Sequence, residues 1–264
     1  MDIHELERQI RLGGIISIDY YGFSFEFDMS MPHERRYFLR ELFSVPYAQA
    51  DIDTLLFSRF IRSGDRVLDA GANIGFTARE AMRFGASQVF CVEPEPSLAK
   101  RLSRNKVPEM TLINCALGAS TGRARLYISE AHNQGHTINQ KMLAIFPQVF
   151  GEQYIDVDVK TIGDVLHGVY CDIWKLDIEG AEIDVLTGDI DPMPRVIIAE
   201  IYGEKVKDVV EALSGHYVCR RAVIQSKECV LKLLSPVPGE LPNHYEQTSP
   251  MYVFVLNEVW GEYA

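Results

Sequence analysis

From residue 66 onward, short apolar runs alternate with longer stretches whose apolar residues recur at helical spacing. The runs at 66–70, 88–93, 111–116, 173–177 and 196–201 read as strands. The stretches 76–84, 96–105, 161–167, 179–187 and 204–214 read as helices. Strand and helix repeated in this order predict βαβ units and a largely parallel α/β sheet. Three later strands are expected at 217–222, 230–234 and 251–256. The turn-rich segment 235–250 would let the last one run antiparallel by a hairpin-like return.

Upstream, residues 1–12 read as a short helix, and an alternating pattern on either side of Gly22 predicts a hairpin. Helices are expected over 34–43 and 51–61. No change of composition marks a linker, so residues 1–50 are an elaboration of one domain covering 51–264. The rhythm breaks at about 122–160, with a predicted hairpin at 123–128, a polar 130–140, an apolar 142–150 and a strand at 154–159. This insertion precedes the fourth core strand and is expected to cover the carboxyl edge of the sheet, where ligands bind in such folds.

The stretch with the most chemistry is Val67-Leu68-Asp69-Ala70-Gly71-Ala72-Asn73-Ile74-Gly75, a strand entering a glycine-spaced turn ahead of a helix. Glycines there bring backbone close to a ligand, and the helix aims free amides at it. Eighteen residues past Gly75, Glu93 ends the next apolar run, where a nucleotide fold places a carboxylate for ribose hydroxyls. A dinucleotide site usually carries G-x-G-x-x-G, but here Asn73 holds the middle position and Asp69 closes the strand. A carboxylate facing the turn would repel a pyrophosphate and suit a ligand with a cationic amino-acid end. The charge logic therefore favours S-adenosylmethionine over NAD.

Lys plus Arg number 26 against 37 Asp plus Glu, a net charge of −11, which disfavours nucleic acid and anionic membrane as partners. The basic cluster at Lys100, Arg101, Arg104 and Lys106 reads as a solvated helix face. The five cysteines form no C-x-x-C pair and mostly lie in apolar runs, as buried thiols do in a reducing compartment. With a charged N-terminus and no membrane-length apolar window, the expected location is cytoplasmic.

Three motifs in order, V-L-D-A-G-A-N-I-G at 67–75, V-E-P-E-P at 92–96 and K-L-D-I-E-G-A-E at 175–182, resemble the FkbM family of class I S-adenosylmethionine-dependent methyltransferases over roughly 45–203. The resemblance implies a Rossmann-like, seven-stranded, mostly parallel sheet flanked by helices, with the last strand antiparallel. It also implies methyl transfer, usually to a hydroxyl oxygen of a small natural product or sugar. On that basis Asp69, Gly71, Ala72, Asn73 and Gly75 would hold the methionine end of the cofactor. Glu93 would hold the ribose, with Pro94 fixing the chain after it, and Ala116 and Leu117 would lie against the adenine.

Asp177 would lie beside the transferred methyl, to orient the acceptor or take its proton. Glu179 and Glu182 are expected on one face of a helix's first turn, where countering the dipole and capping amides compete with a catalytic role. Glu200 would line the acceptor pocket as a base or, with Asp177, as a ligand for Mg²⁺; no tight acidic spacing supports the metal, which is not favoured. His132 and His136 lie in the covering insertion, and His136 is a candidate base. The N-terminal aromatics are expected mainly in the core. Two rivals remain: an NAD-dependent oxidoreductase, weakened by the absence of G-x-G-x-x-G and of a Tyr-x-x-x-Lys pair, and a non-catalytic methyltransferase-like binding protein.

Overall fold

The computed structural model describes residues 3–129, 135–147, 149–188, 190–202, 206–225, 230–235 and 250–263. Helix α1 (Ile3–Leu12) and a hairpin of β1 (Ile15–Tyr20) and β2 (Phe23–Asp28) lead into α2 (Pro32–Phe43) and α3 (Ala48–Phe60). The first alternating unit is β3 (Arg66–Ala70), α4 (Phe76–Arg83), β4 (Gln88–Val92), α5 (Pro96–Asn105) and β5 (Met110–Ile113). The insertion contains β6 (Ala116–Leu117), β7 (Gly122–Ser129), α6 (Gln140–Ile145) and β8 (Phe150–Lys160). The chain continues through α7 (Ile162–Leu166), β9 (Ile173–Leu176), α8 (Glu182–Leu186), β10 (Val196–Glu200), α9 (Val206–Leu213), β11 (Tyr217–Gln225), β12 (Val230–Leu234) and β13 (Met251–Leu256).

The main sheet has the order β12-β11-β13-β10-β9-β3-β4-β5. Strands β5, β4, β3, β9 and β10 pair in parallel, and β13 is antiparallel to both its neighbours, β10 and β11. Seven strands thus follow the expected class I arrangement, and β12 adds an eighth at the edge by pairing antiparallel with β11. The hairpin-like return expected over 235–250 is not what forms: β13 slots between β10 and β11 instead of pairing with β12. Residues 236–249 of that connection lie outside the described residues.

The central strands are buried on both faces, which is why they read as continuous apolar runs. Their side chains alternate between two cores. Leu68, Phe90, Trp174, Ile197 and Phe254 pack with α7, α8 and α9. Val67, Val89, Ile173, Ile198 and Val253 pack with Ile52, Leu56 and Phe57 of α3 and with α4. Polar residues obey the same alternation: Asp69 and Lys175 are cross-strand partners in register and share the α3 face.

Three local expectations are corrected. The third strand stops at Ile113, short of Ala116, because the Cys115 amide turns back to the Ile113 carbonyl and the Asn114 side chain donates to Glu93 O at 2.7 Å. Ala116 and Leu117 then join a second sheet in parallel with Val159 and Lys160 of β8. Residues 123–128 are not a hairpin but one arm, β7, whose antiparallel partner is β8. Helix α8 begins at Glu182, because Glu179 and Gly180 have positive φ of 53° and 97°, which breaks the helical path.

The N-terminal elaboration seals the start of the glycine turn. Tyr20, Phe25, Phe27, Tyr37 and Phe38 form one core with Ile74, Phe76 and Leu98, and the Tyr37 ring lies 4.2 Å from that of Phe76. Arg79, buried in α4, donates to Asn105 O at 2.9 Å and to Tyr20 O, and so fixes the hairpin to the sheet. The boundary expected at residue 50 falls inside α3. Four cysteines (Cys91, Cys115, Cys171, Cys219) are free and buried, and Cys229 lies outside the described residues. Among the described residues, no helix is long and apolar enough to cross a membrane. Phe76→Ala should cost about 3–5 kcal/mol, read as a lower urea midpoint, because it empties the centre of this aromatic cluster.

Candidate active site

Two adjoining cavities open at the carboxyl ends of β3, β4 and β9, and Gly71, Asn73, Asp177 and Glu179 line both. Gly71 (φ 81°) permits this geometry, because a Cβ built there would stand 1.9 Å from the Asp177 carbonyl oxygen. Asp177 N bonds Ala70 O at 3.0 Å, so the two strand ends are pressed together where the cavity-lining backbone begins. Asn73 occupies the left-handed region (φ 50°), and its side-chain oxygen accepts from Ile74 N at 2.8 Å.

The first cavity encloses about 510 Å³, partly continuous with solvent. Val92, Pro94, Leu98, Cys115, Ala116, Leu117, Leu126 and Ile138 give it apolar walls, and Glu93 and His136 add polar groups. The buried Glu93 carboxylate accepts from Asn73 N and from Glu95 N, each at 2.8 Å, which ties the first glycine turn to the second strand end. Burial pushes its carboxyl from the ordinary 4.5 up to about 7, against the pull of those two amides. His136 Nδ1 accepts from Ser129 N at 3.0 Å, so the neutral ring carries its proton on Nε2. His132 lies outside the described residues.

Charged groups dominate the second cavity, lined by Glu34 and Tyr37 of α2, Gln49 and Asp53 of α3, Ala72, Thr77, Lys175, Asp177 and Glu179. Lys175 is 1% exposed and its Nζ lies 3.0 Å from Asp177 Oδ2. Burial opposes its charge, but Asp177, Asp53 and Asp69 outweigh that and hold the ammonium well above its ordinary value. Burial, then Asp177, Glu200 and Glu182, push the Glu179 carboxyl well above the usual range.

The insertion grips this loop directly. Thr137 Oγ1 donates to Glu179 O at 2.6 Å and Asn139 Nδ2 to Gly180 O at 2.7 Å. Gly180 has no room for a side chain, since a Cβ would meet Met142 Cγ at 2.9 Å.

Gly71, Asn73, Glu93, Pro94, Ala116, Leu117, His136, Asp177 and Glu179 are brought together on the cavity walls, with Ala72 on the second cavity alone. Asp69, Gly75 and Glu200 are not among the lining residues. Asp69 is fully buried below the turn and accepts from Thr77 Oγ1 at 2.7 Å. Gly75 starts α4 against Leu102, and Glu200 accepts from the Tyr202 hydroxyl. Glu182 caps the loop, taking Ile178 N at 2.6 Å and Gly180 N at 2.8 Å. Among the described residues, no group of three or more His, Cys, Asp and Glu is arranged to hold a metal ion.

Sequence reasoning missed Asp53, Lys175, Thr137 and Asn139. Lys175 had a signal, a charge inside the otherwise apolar Ile173–Leu176, and Asp53 shares a helical face with Phe57 and Phe60.

A parallel sheet in this order, with a glycine-opened cleft at its carboxyl edge and an acid ending its second strand, defines a class I, Rossmann-like transferase fold. The chain matches the methyltransferase FkbM domain over residues 69–218 and belongs to that family. It is 31% identical to Methyltransferase 1 of Beauveria bassiana (strain ARSEF 2860), a match covering 46% of this chain and 57% of the relative. It is 26% identical to Methyltransferase sdnD of Sordaria araneosa, with 54% and 64% covered, so it spans less than two thirds of either relative's length. Among solved structures it is similar to M. jannaschii TYW2 in complex with AdoMet, at 10% identity and TM-score 0.44 over 92% of this chain and 85% of that one. It is also similar to precorrin-6Y C5,15-methyltransferase of Geobacter metallireducens GS-15, at 12% identity and TM-score 0.41 over 79% and 87%. At that distance the sheet order itself defines the fold.

Asp53, Glu93 and Glu182 hold their protons to about pH 7, 7 and 8 in the folded chain, against ordinary values of 3.8, 4.5 and 4.5. The folded state therefore binds more protons than the unfolded one between about pH 4 and 8. The stabilisation is complete at the acid end of that window and is lost as pH rises. Thermal unfolding of the ligand-free protein should show Tm rising from pH 8 to pH 6. Glu182→Gln should flatten the upper part of that profile.

Proposed function

We propose that the chain is an S-adenosylmethionine-dependent O-methyltransferase acting on a small hydroxylated molecule. The observation that carries this reading is the division of the cleft at Gly71, Asn73, Asp177 and Glu179. On one side lies an apolar slot with one acid at its second strand end. On the other lies a charged chamber.

The residues present fit such a cofactor. Ala116, Leu117, Pro94 and Leu98 offer apolar surface for a base, and Glu93 keeps acceptor capacity for ribose hydroxyls beyond the two amides it already holds. Gly71 and Asn73 bring bare backbone to the junction. When bound, the cofactor supplies an electrophilic methyl on a sulfonium. The chain's own part is to orient the acceptor, exclude water and move one proton. Asp177, held by Lys175, orients the acceptor hydroxyl, and Glu179 in its ionised form takes its proton, the raised pKa making that carboxylate the stronger base. The hairpin β7–β8, clamped onto the Glu179–Gly180 loop, acts as the cover. The net charge of −11 supports a small acceptor over a polynucleotide.

Calorimetric titration should show S-adenosylhomocysteine binding in preference to NADH, and Glu93→Ala should weaken it roughly tenfold or more, the loss of a hydrogen bond to a charged group. Preference for NADH would overturn the reading. With methyl-labelled cofactor and a panel of phenols, sugars and hydroxylated natural products, label should appear on acceptor oxygen. Asp177→Asn should lower that turnover by roughly a hundredfold or more while the protein stays folded.

A further inference from the structure

The second cavity has a wall that the family match does not include, because α2 and α3 precede residue 69. From that wall Asp53, a residue only 3% exposed, reaches the cavity, and its Oδ1 has no hydrogen-bond partner among the described residues. An unpaired carboxylate oxygen at that depth is costly: without a partner the carboxyl is pushed toward its neutral form, and a charged donor offsets the cost of the ionised one. Lys175 acts on Asp53 through its charge, but the hydrogen bond from its Nζ goes to Asp177 and leaves Asp53 Oδ1 without a donor. Carboxyls outnumber cations among the described lining residues: Asp53, Asp177 and Glu179, with Asp69 just below, face Lys175, and the remaining lining acid, Glu34, is already held by both terminal guanidinium nitrogens of Arg101. Burial, and then this crowding, push Asp53 and Glu179 toward their neutral forms, and a second cation in the cavity would favour the ionised ones.

We propose that Asp53 anchors a primary ammonium ion in this cavity. On the cofactor reading given above, that ammonium is the one on the cofactor's amino-acid end. The structure thus moves the charge complement of that end from Asp69, where the strand motif put it, to a helix outside the motif. Asp69 is beneath the turn with Thr77 on one oxygen, whereas Asp53 faces the space itself.

The assignment carries a pH signature. Asp53 is surrounded by Lys175 and Asp177 of the β9 end, Asp69 of β3 and Glu80 of α4, with Tyr47 at the start of its own helix and Glu34 and Glu179 across the cavity. Burial leads these in raising its carboxyl to about 7. A cation binds the ionised form, so affinity for the ammonium rises as pH goes from 6 to 8.

The test is calorimetry with three probes on the wild-type protein and on Asp53→Asn, an isosteric change whose folding is checked by thermal unfolding. S-adenosylhomocysteine carries the ammonium; methylthioadenosine has the same nucleoside and lacks it. Propylamine, added to protein saturated with S-adenosylhomocysteine, stands for an ammonium on an acceptor. Asp53→Asn should weaken S-adenosylhomocysteine by roughly tenfold or more and remove the part of its pH dependence that methylthioadenosine does not share, while methylthioadenosine binds both proteins alike. If S-adenosylhomocysteine is unaffected but propylamine binds the loaded wild type and not the variant, the ammonium is the acceptor's and the anchor stands. If all three probes bind the variant as they bind the wild type, Asp53 is no anchor, although the cofactor reading survives. If neither nucleoside binds the wild type, the cofactor reading itself has failed, and propylamine binding to the ligand-free protein then decides the anchor alone. Should Asp53→Asn not fold, Asp53→Glu takes its place: the same charge on a longer arm should weaken S-adenosylhomocysteine and spare methylthioadenosine, and equal binding of both would overturn the proposal.

Discussion

The rest of the cleft depends on how closely the ends of β3 and β9 approach each other. Gly71 sits against the Asp177 carbonyl with no space for a side chain, and the Asp177 amide is bonded back to Ala70. Only a glycine lets two parallel strands end so tightly while the chain turns away from both. Because of this contact the Asn73 turn and the Asp177–Glu179 loop face each other across one gap, and the gap is split into an apolar side and a charged side. Moving either strand end outward would merge the two chambers and separate Glu93 from Asp177.

Most of the scaffold was legible in the sequence, because its signals are local. Apolar runs ending in Asp69, Glu93, Asp177 and Glu200 marked the parallel strands, and glycines at 71 and 75 marked the turn. What stayed hidden depends on contacts distant along the chain. The switch of Ala116 and Leu117 into a second sheet is decided by β8, some forty residues later. Helix α8 starts late because Glu182 prefers to cap Ile178 and Gly180, which a helical wheel drawn from residue 179 cannot register. Asp53 reads as a stray polar residue on an apolar helix until the register Asp69–Lys175 puts a cation on the face it covers.

A buried lysine among carboxylates is an unusual way to finish a strand. Each acid lowers the cost of burying Lys175, and Lys175 lowers the cost of keeping the acids charged, so the group is coupled and removing one member strands the others. The N-terminal elaboration belongs to this arrangement: α3 brings Asp53, α2 brings Glu34 and Tyr37, and the aromatic core around Phe76 holds both helices to the glycine turn. Residues ahead of the region matched by the family are therefore part of the cleft.

The two-residue strand β6 has a mechanical consequence. Ala116 and Leu117 form the floor of the apolar chamber, yet their backbone is stitched to β8, one arm of the hairpin that reaches over the Glu179–Gly180 loop. Floor and cover are joined through backbone hydrogen bonds: Thr137, which grips that loop from the connection between β7 and β8, is bridged to Tyr127 of β7, itself paired with β8. A hinge movement that lifts the hairpin drags the floor along with it, so entry to the cleft is geared to the shape of the chamber.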